Sequence, residues 1–172
     1  MNTLMVAVVA SALCVQASVA SAAPASQDLF FSACLEGEAR LSKGDVTEVG
    51  FAGLPESVRQ KYRVPQTARV WRIASEDTFL YLFDMSDGHG NTNKICGVAS
   101  KEMERNALTL AIDVRLAGST EQTPRRSTQW LRPTDGFVVT VTTAKRYTVA
   151  QVDWLSERDR QRIQKEVDLF AQ

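Results

Sequence analysis

The chain is short of the residues that most enzymes use to move protons or hold metals: it has one histidine, His89, and three cysteines. A nucleophile needs a base beside it, and no serine sits in a G-x-S-x-G turn, so serine–histidine chemistry has little to work with. Zinc takes three or four ligands, which one histidine and scattered cysteines do not supply without carboxylates, and there is no C-x-x-C. Charge of one sign is lacking too. Lys and Arg number 20, as do Asp and Glu, which removes any overall attraction to nucleic acid or acidic lipid. Arg125-Arg126 and Lys145-Arg146 are local exceptions that read as solvated turn and strand-edge charges. The expectation is no metal, no cofactor and no nucleic-acid partner. Carboxylate pairs of the glycosidase kind stay open, because their separation in space decides them.

The segment from Met1 to Gln27 carries no charge at all. Leu4 to Ala10 is an apolar core, and Ala20-Ser21-Ala22 is the small-x-small pattern that a signal peptidase accepts. We read residues 1–22 as a cleaved export signal, with cleavage near Ala22, a periplasmic or secreted mature chain and no membrane span in it. The second reading is a retained anchor, since the n-region Met1-Asn2-Thr3 has no basic residue. Leu13 before Cys14 argues against lipoprotein processing. Cleavage removes Cys14 and leaves Cys34 and Cys96, two thiols in an oxidising compartment, which are expected to pair. The remainder, residues 23–172, is the size of one domain.

Within it, Ser26 is the expected cap of a first helix whose Phe30, Cys34, Gly37 and Leu41 share a face, with Gly44 as its stop. Val46 to Ala52 reads as extended, and Glu56 to Tyr62 as a brief helix after Pro55. Alternation then takes over. Arg69 to Ile73 is a strand with Trp71 and Ile73 inward, and Thr78 to Phe83 a strand buried on both faces, with Ser75-Glu76-Asp77 turning between them. A polar loop from Asp84 to Lys94 leads to a strand at Ile95 to Ala99. From Lys101 to Leu116 two readings compete: a helix burying Met103, Ala107, Leu110, Ala111 and Val114 and stopped by Gly118, or a strand over Ala107 to Val114. Gln129 to Leu131 and Phe137 to Thr143 form a hairpin around Thr134-Asp135-Gly136, and Tyr147 to Val152 is the next strand. Ser156, with Asp159 three residues on, caps a last helix striped by Ile163, Val167 and Phe170.

The two halves share an order: Trp, acidic turn, apolar strand, short strand, Ser-capped helix. Trp71, Asp77, Thr78 to Phe83, Val98 and Ser100 fall opposite Trp130, Asp135, Phe137 to Val141, Val152 and Ser156. The expected class is α+β: an antiparallel sheet of about five to six strands with helices on one face, compatible with a degenerate βββα repeat.

The densest polar stretch, Asp84 to Asn93, supplies the one candidate ligand loop: Asp84, Asp87, His89, Asn91 and Asn93. Its spacing fails the EF-hand pattern, and Asp, Gly and Asn are also what an ordinary turn uses. Trp71, Trp130 and Trp154 read as core residues, with a recognition surface as the alternative.

Phe31-x-x-Cys34 on a first helix, Gly53-Leu54-Pro55 before a short helix, the Trp71 strand and Cys96-Gly97-Val98 resemble small exported alphaproteobacterial proteins of unknown function. The resemblance covers the first half of the mature chain. It implies that the disulfide ties the first helix to the sheet, and it carries no activity. The leading functional expectation is a non-catalytic periplasmic binding or accessory protein, its partner an envelope protein or a small ligand. The alternatives are a cell-envelope hydrolase using a carboxylate pair and a module that binds a partner through an exposed sheet edge.

Overall fold

Alternating apolar residues in the middle of the chain build one antiparallel sheet. A computed structural model describes residues 25–37, 46–73, 77–86, 90–117, 119–122 and 127–170. The segment read as an export signal, Leu41, Gly44, Ser75-Glu76, Asp87, His89, Gly118 and Arg125-Arg126 lie outside the described residues. The strands are β1 (Val46–Glu48), β2 (Arg69–Ile73), β3 (Thr78–Ser86), β4 (Thr92–Ser100), β5 (Thr120–Gln122), β6 (Ser127–Arg132), β7 (Phe137–Ala144) and β8 (Tyr147–Trp154). Their order across the sheet is β1-β2-β3-β4-β8-β7-β6-β5, so two four-stranded meanders meet at the β4–β8 pair.

The helices are α1 (Ala25–Leu29), continued by a wider π-type segment at Phe30–Leu35, then α2 (Gly50–Gly53), α3 (Glu56–Tyr62), α4 (Arg105–Arg115) and α5 (Glu157–Phe170). The α+β class holds, and so does the disulfide from the N-terminal helical segment to the sheet: Cys34 and Cys96 are bonded, with Cα atoms 5.2 Å apart. Two finer expectations do not hold. The described sheet has eight strands rather than five or six, because the short edge pieces β1 and β5 pair as well. Helices cover both faces rather than one. Leu80, Cys96, Val98, Val139, Val141, Ala150 and Val152 pack with Phe30, Phe31, Leu108 and Ile112. Residues of the opposite parity, among them Phe79, Tyr81, Ile95, Ala99 and Val149, pack with Leu54 and Val58 from the α2–α3 side. Two covered faces also explain Val70, which is fully buried while Trp71 and Ile73, the expected inward pair, are only partly so.

Other differences have local causes. The first helix breaks at Gly37, whose positive φ suits glycine, and Ser26 is buried inside α1 rather than capping it. Gly50–Gly53 is a helical turn where extended chain was expected. The polar stretch from Asp84 is mostly hairpin: β3 runs to Ser86 and β4 begins at Thr92. Ser100 does not start α4. It ends β4, buried, where Thr78 Oγ1 donates to its hydroxyl at 2.8 Å. The cap is Glu104, whose carboxylate accepts from the Asn106 and Ala107 amides at 3.0 and 2.6 Å.

Within Lys101 to Leu116 the helix reading holds over Arg105–Arg115, but with the Leu108, Ile112 and Leu116 side inward. Leu108, Ile112 and Leu116 are buried, whereas Leu110 and Val114 are 65% and 73% exposed and Ala107 faces outward. Two apolar stripes compete on α4. Met103, ahead of the helix, is buried as expected and Ala111 packs at the core's edge, so the residues turned outward against expectation are Ala107, Leu110 and Val114. The observed orientation also places Asp113 where the Trp130 indole donates to it at 2.6 Å.

Leu108→Ala is expected to cost about 3 kcal/mol in urea unfolding and Leu110→Ala less than about 0.5 kcal/mol; equal losses would mean that the packed stripe is misassigned. Replacing Cys34 and Cys96 together by alanine should lower unfolding free energy by about 4 kcal/mol, the loop-closure entropy of a crosslink of this span. An unchanged melting curve with and without reductant would refute that.

Candidate binding face

Strand register relates the two meanders by an approximate two-fold axis normal to the sheet. Reading across one face, Glu48, Trp71, Leu80, Val98, Ala150, Val141 and Thr128 stand side by side. Read from the other edge, the same places are taken by Glu121, Trp130, Val139, Val152, Cys96, Leu82 and Arg69. Trp71 therefore matches Trp130, and Leu82 matches Val141. The repeat is ββββα, one strand longer per half than the βββα unit expected.

The matched positions do not share an environment. Trp130 and Val141, in the second half, are 1% and 0% exposed beneath α4. In the first half Trp71 is only partly buried and Leu82 is 38% exposed. The connections account for this difference. Four residues, Lys101 to Glu104, let the chain turn from β4 and lay α4 back over the sheet. Only Leu155 and Ser156 separate β8 from α5, and both are held: the Leu155 amide donates to the Gly136 carbonyl at 2.8 Å and the Ser156 amide to Asn93 Oδ1 at 2.7 Å. Asn93 Nδ2 donates to Asp159 at 2.9 Å, and Arg160 donates to the Pro133 and Thr134 carbonyls at 3.2 and 3.1 Å. The first turns of α5 are thus tied to the sheet end, and its stripe residues Ile163 and Val167 join neither core.

A groove of about 470 Å³ at this end of the sheet is lined by Thr67, Arg69, Leu82, Phe83, Asp84, Lys94 and Ile95, of which Phe83 and Ile95 belong to the core of the opposite face. Arg69, Leu82, Asp84 and Lys94 lie on the sheet face that bears Trp71, as their pairings require. The Arg69 guanidinium sits 4.6 Å from the Trp71 ring centroid and 3.4 Å from Glu48. An exposed leucine with two cations and one carboxylate beside it suits an amphipathic occupant with acidic groups.

Of the candidate loop residues, Asp84 lines this groove. Asn93 instead holds the start of α5, and Asn91 lies just before β4. Cys34 and Cys96 are closed in the disulfide. Trp71, Leu82, Arg69 and Lys94 were missed as a set; the Trp71–Trp130 correspondence was the signal that pointed toward them. Three grooves are described: this one, one of about 400 Å³ between α5 and Pro133-Thr134, and one of about 240 Å³ beside Phe51. Each is lined by a single carboxylate: Asp84, Glu157 and Glu56 respectively. Among the described residues no cluster of three His, Cys, Asp or Glu is placed to hold a metal ion, and no helix is long and apolar enough to cross a membrane.

The other sheet face holds a polar row under α3. Tyr81 lies across Gly97, where a Cβ would overlap its ring, and so reaches Gln151, to which its hydroxyl donates at 2.9 Å. Gln151 Nε2 in turn donates a hydrogen bond to Asp153 Oδ1 at 2.6 Å. Burial pushes both the Tyr81 and the Tyr62 phenols well above the usual tyrosine range, the Asp153 charge adding to each and Tyr62 adding to Tyr81, while Arg105 pulls Tyr62 partly back. Burial likewise raises the Asp153 carboxyl to about 6 from 3.8, the Gln151 hydrogen bond pulling the other way. One titrating carboxyl without a second beside it gives no acid–base pair.

No protein-family profile matches the chain, and neither a curated protein nor a solved structure shows significant similarity to it.

Because the folded chain binds the Asp153 proton more tightly than the unfolded one, this group's contribution to stability is full below pH 3.8 and is lost as pH rises through about 6. Asp153→Asn should therefore match the parent near pH 4 and be more stable at pH 8, by up to about 3 kcal/mol in urea unfolding. A variant equally or less stable at pH 8 would contradict the assignment.

Proposed function

We propose that this chain is an exported, non-catalytic binding or accessory domain that works through the uncovered face of its first half. The observation that supports this reading is the contrast between matched positions: Trp130 and Val141 are sealed under a helix, whereas Trp71 is only half-buried at the edge of the core and Leu82 is exposed in a groove. A sheet face bearing Trp, Leu and an arginine stacked on the ring is the composition of a recognition surface. The disulfide is compatible with an oxidising compartment, as the reading of residues 1–22 as an export signal requires.

The two other expectations receive less support. A hydrolase using paired carboxylates would need both in one concavity, and each described groove offers one. Strand addition would need a usable edge, and among the described residues the edge strands β1 and β5 run for three residues each.

Affinity capture from the native envelope tests the reading. A species retained by the parent and by Leu110→Lys, on the outward face of α4, should be lost with Leu82→Lys. Reproducible turnover in a broad hydrolase screen, abolished by a single acidic substitution, would overturn it.

A further inference from the structure

The second half of the molecule shows what kind of element fits over the first. Over the second half lies α4, with Leu108 and Ile112 in the core it forms with Trp130, Val139 and Val141, and with Asp113 accepting the Trp130 indole proton. The chain contains one other helix with that pattern. In α5, Ile163, Val167 and Asp168 repeat the spacing of Leu108, Ile112 and Asp113: two branched apolar residues one turn apart, then an aspartate. Ile163 and Val167 join neither core, and the only partner described for Asp168 is Gln164 of its own helix, at 2.7 Å. On the sheet, the matching Trp71 indole has no acceptor among the described residues.

We propose that α5 of a second copy of this chain docks on the uncovered face, with Ile163 and Val167 over Trp71 and Leu82 and with Asp168 accepting the Trp71 indole proton. The inference rests on reading that face as a binding surface and names its occupant. It selects a second copy because the two-residue connection and the bonds to Gly136, Asn93, Pro133 and Thr134 hold α5 at the end of its own sheet. A helix of this length extends about 20 Å beyond that anchor. Charge favours the same pairing. Glu166 and Asp168 lie on the outer part of α5, beyond the anchored Asp159, Arg69 and Lys94 rim the groove, and a chain with no net charge does not repel its copy. Docking is reciprocal: each copy gives a helix and receives one, so the assembly closes as a two-fold dimer.

Cysteine trapping with sedimentation tests this. In a Cys14→Ser background, Leu82→Cys and Val167→Cys single variants are mixed under mild oxidation. A covalent heterodimer is expected, together with an apparent mass that doubles with concentration in the parent. Leu82→Lys, with a melting curve like the parent's, should weaken self-association at least about tenfold. Two results would overturn the proposal. One is a disulfide within single, monomeric chains of the Leu82→Cys/Val167→Cys double variant, which would mean that α5 closes over its own face. The other is a monomer at every concentration with no crosslink. If that monomer still captures an envelope species in a Leu82-dependent way, the binding reading stands and only the identity of the occupant falls.

Discussion

The antiparallel pairing of β4 with β8 is the constraint on which the rest of the structure depends. It joins strands whose paired residues lie 48 to 60 apart in sequence (Lys94 to Ser100 with Thr148 to Trp154) and turns two local meanders into one sheet. Because side chains alternate with a period of two, that register decides which residues of both meanders share a face. Cys96 is placed on the side where Cys34 arrives, and Gly97 on the side where Tyr81 must lie flat. A slip of one residue would exchange those faces and open the disulfide, the Tyr81–Gln151 bond and both cores together.

The same pairing makes the two halves comparable and so exposes their difference. Each half ends in a helix with an apolar pair and an aspartate, yet one helix is folded back on the sheet and the other is pinned at its end. The physical difference is small: four connecting residues against two, and a handful of hydrogen bonds from Asn93, Gly136 and Arg160. Its consequence is large, because a leucine that would have been core becomes surface and a tryptophan is left half-buried at the core's edge. An approximate repeat in which one copy is sealed and the other open separates stability from recognition within one fold.

The covered face beneath α3 holds a different tension. Tyr81, Gln151 and Asp153 form a hydrogen-bonded row in a largely apolar setting, ending in a carboxyl whose charge burial opposes. Buried polar rows of this kind set register and direction where apolar packing alone would tolerate slippage, at the cost of an ionised group held partly out of water.

By itself the sequence determined the elements whose signals are local: the α3 helix after Pro55, the strand from Thr78, the Ser156 cap, the pairing of Cys34 with Cys96 and the correspondence of Trp71 with Trp130. These follow from spacing, turn chemistry and cysteine number, which act over a few residues or by simple elimination. Tertiary structure decided what depends on distant partners. It chose which of two apolar stripes α4 buries, paired the short edges β1 and β5, put helices on both faces, and turned Asn93 from a candidate ligand into the anchor of α5. Above all, it left Leu82 open while closing Val141. The two positions have the same place in the repeat and the same apolar character, and only the path of a helix after each half separates them.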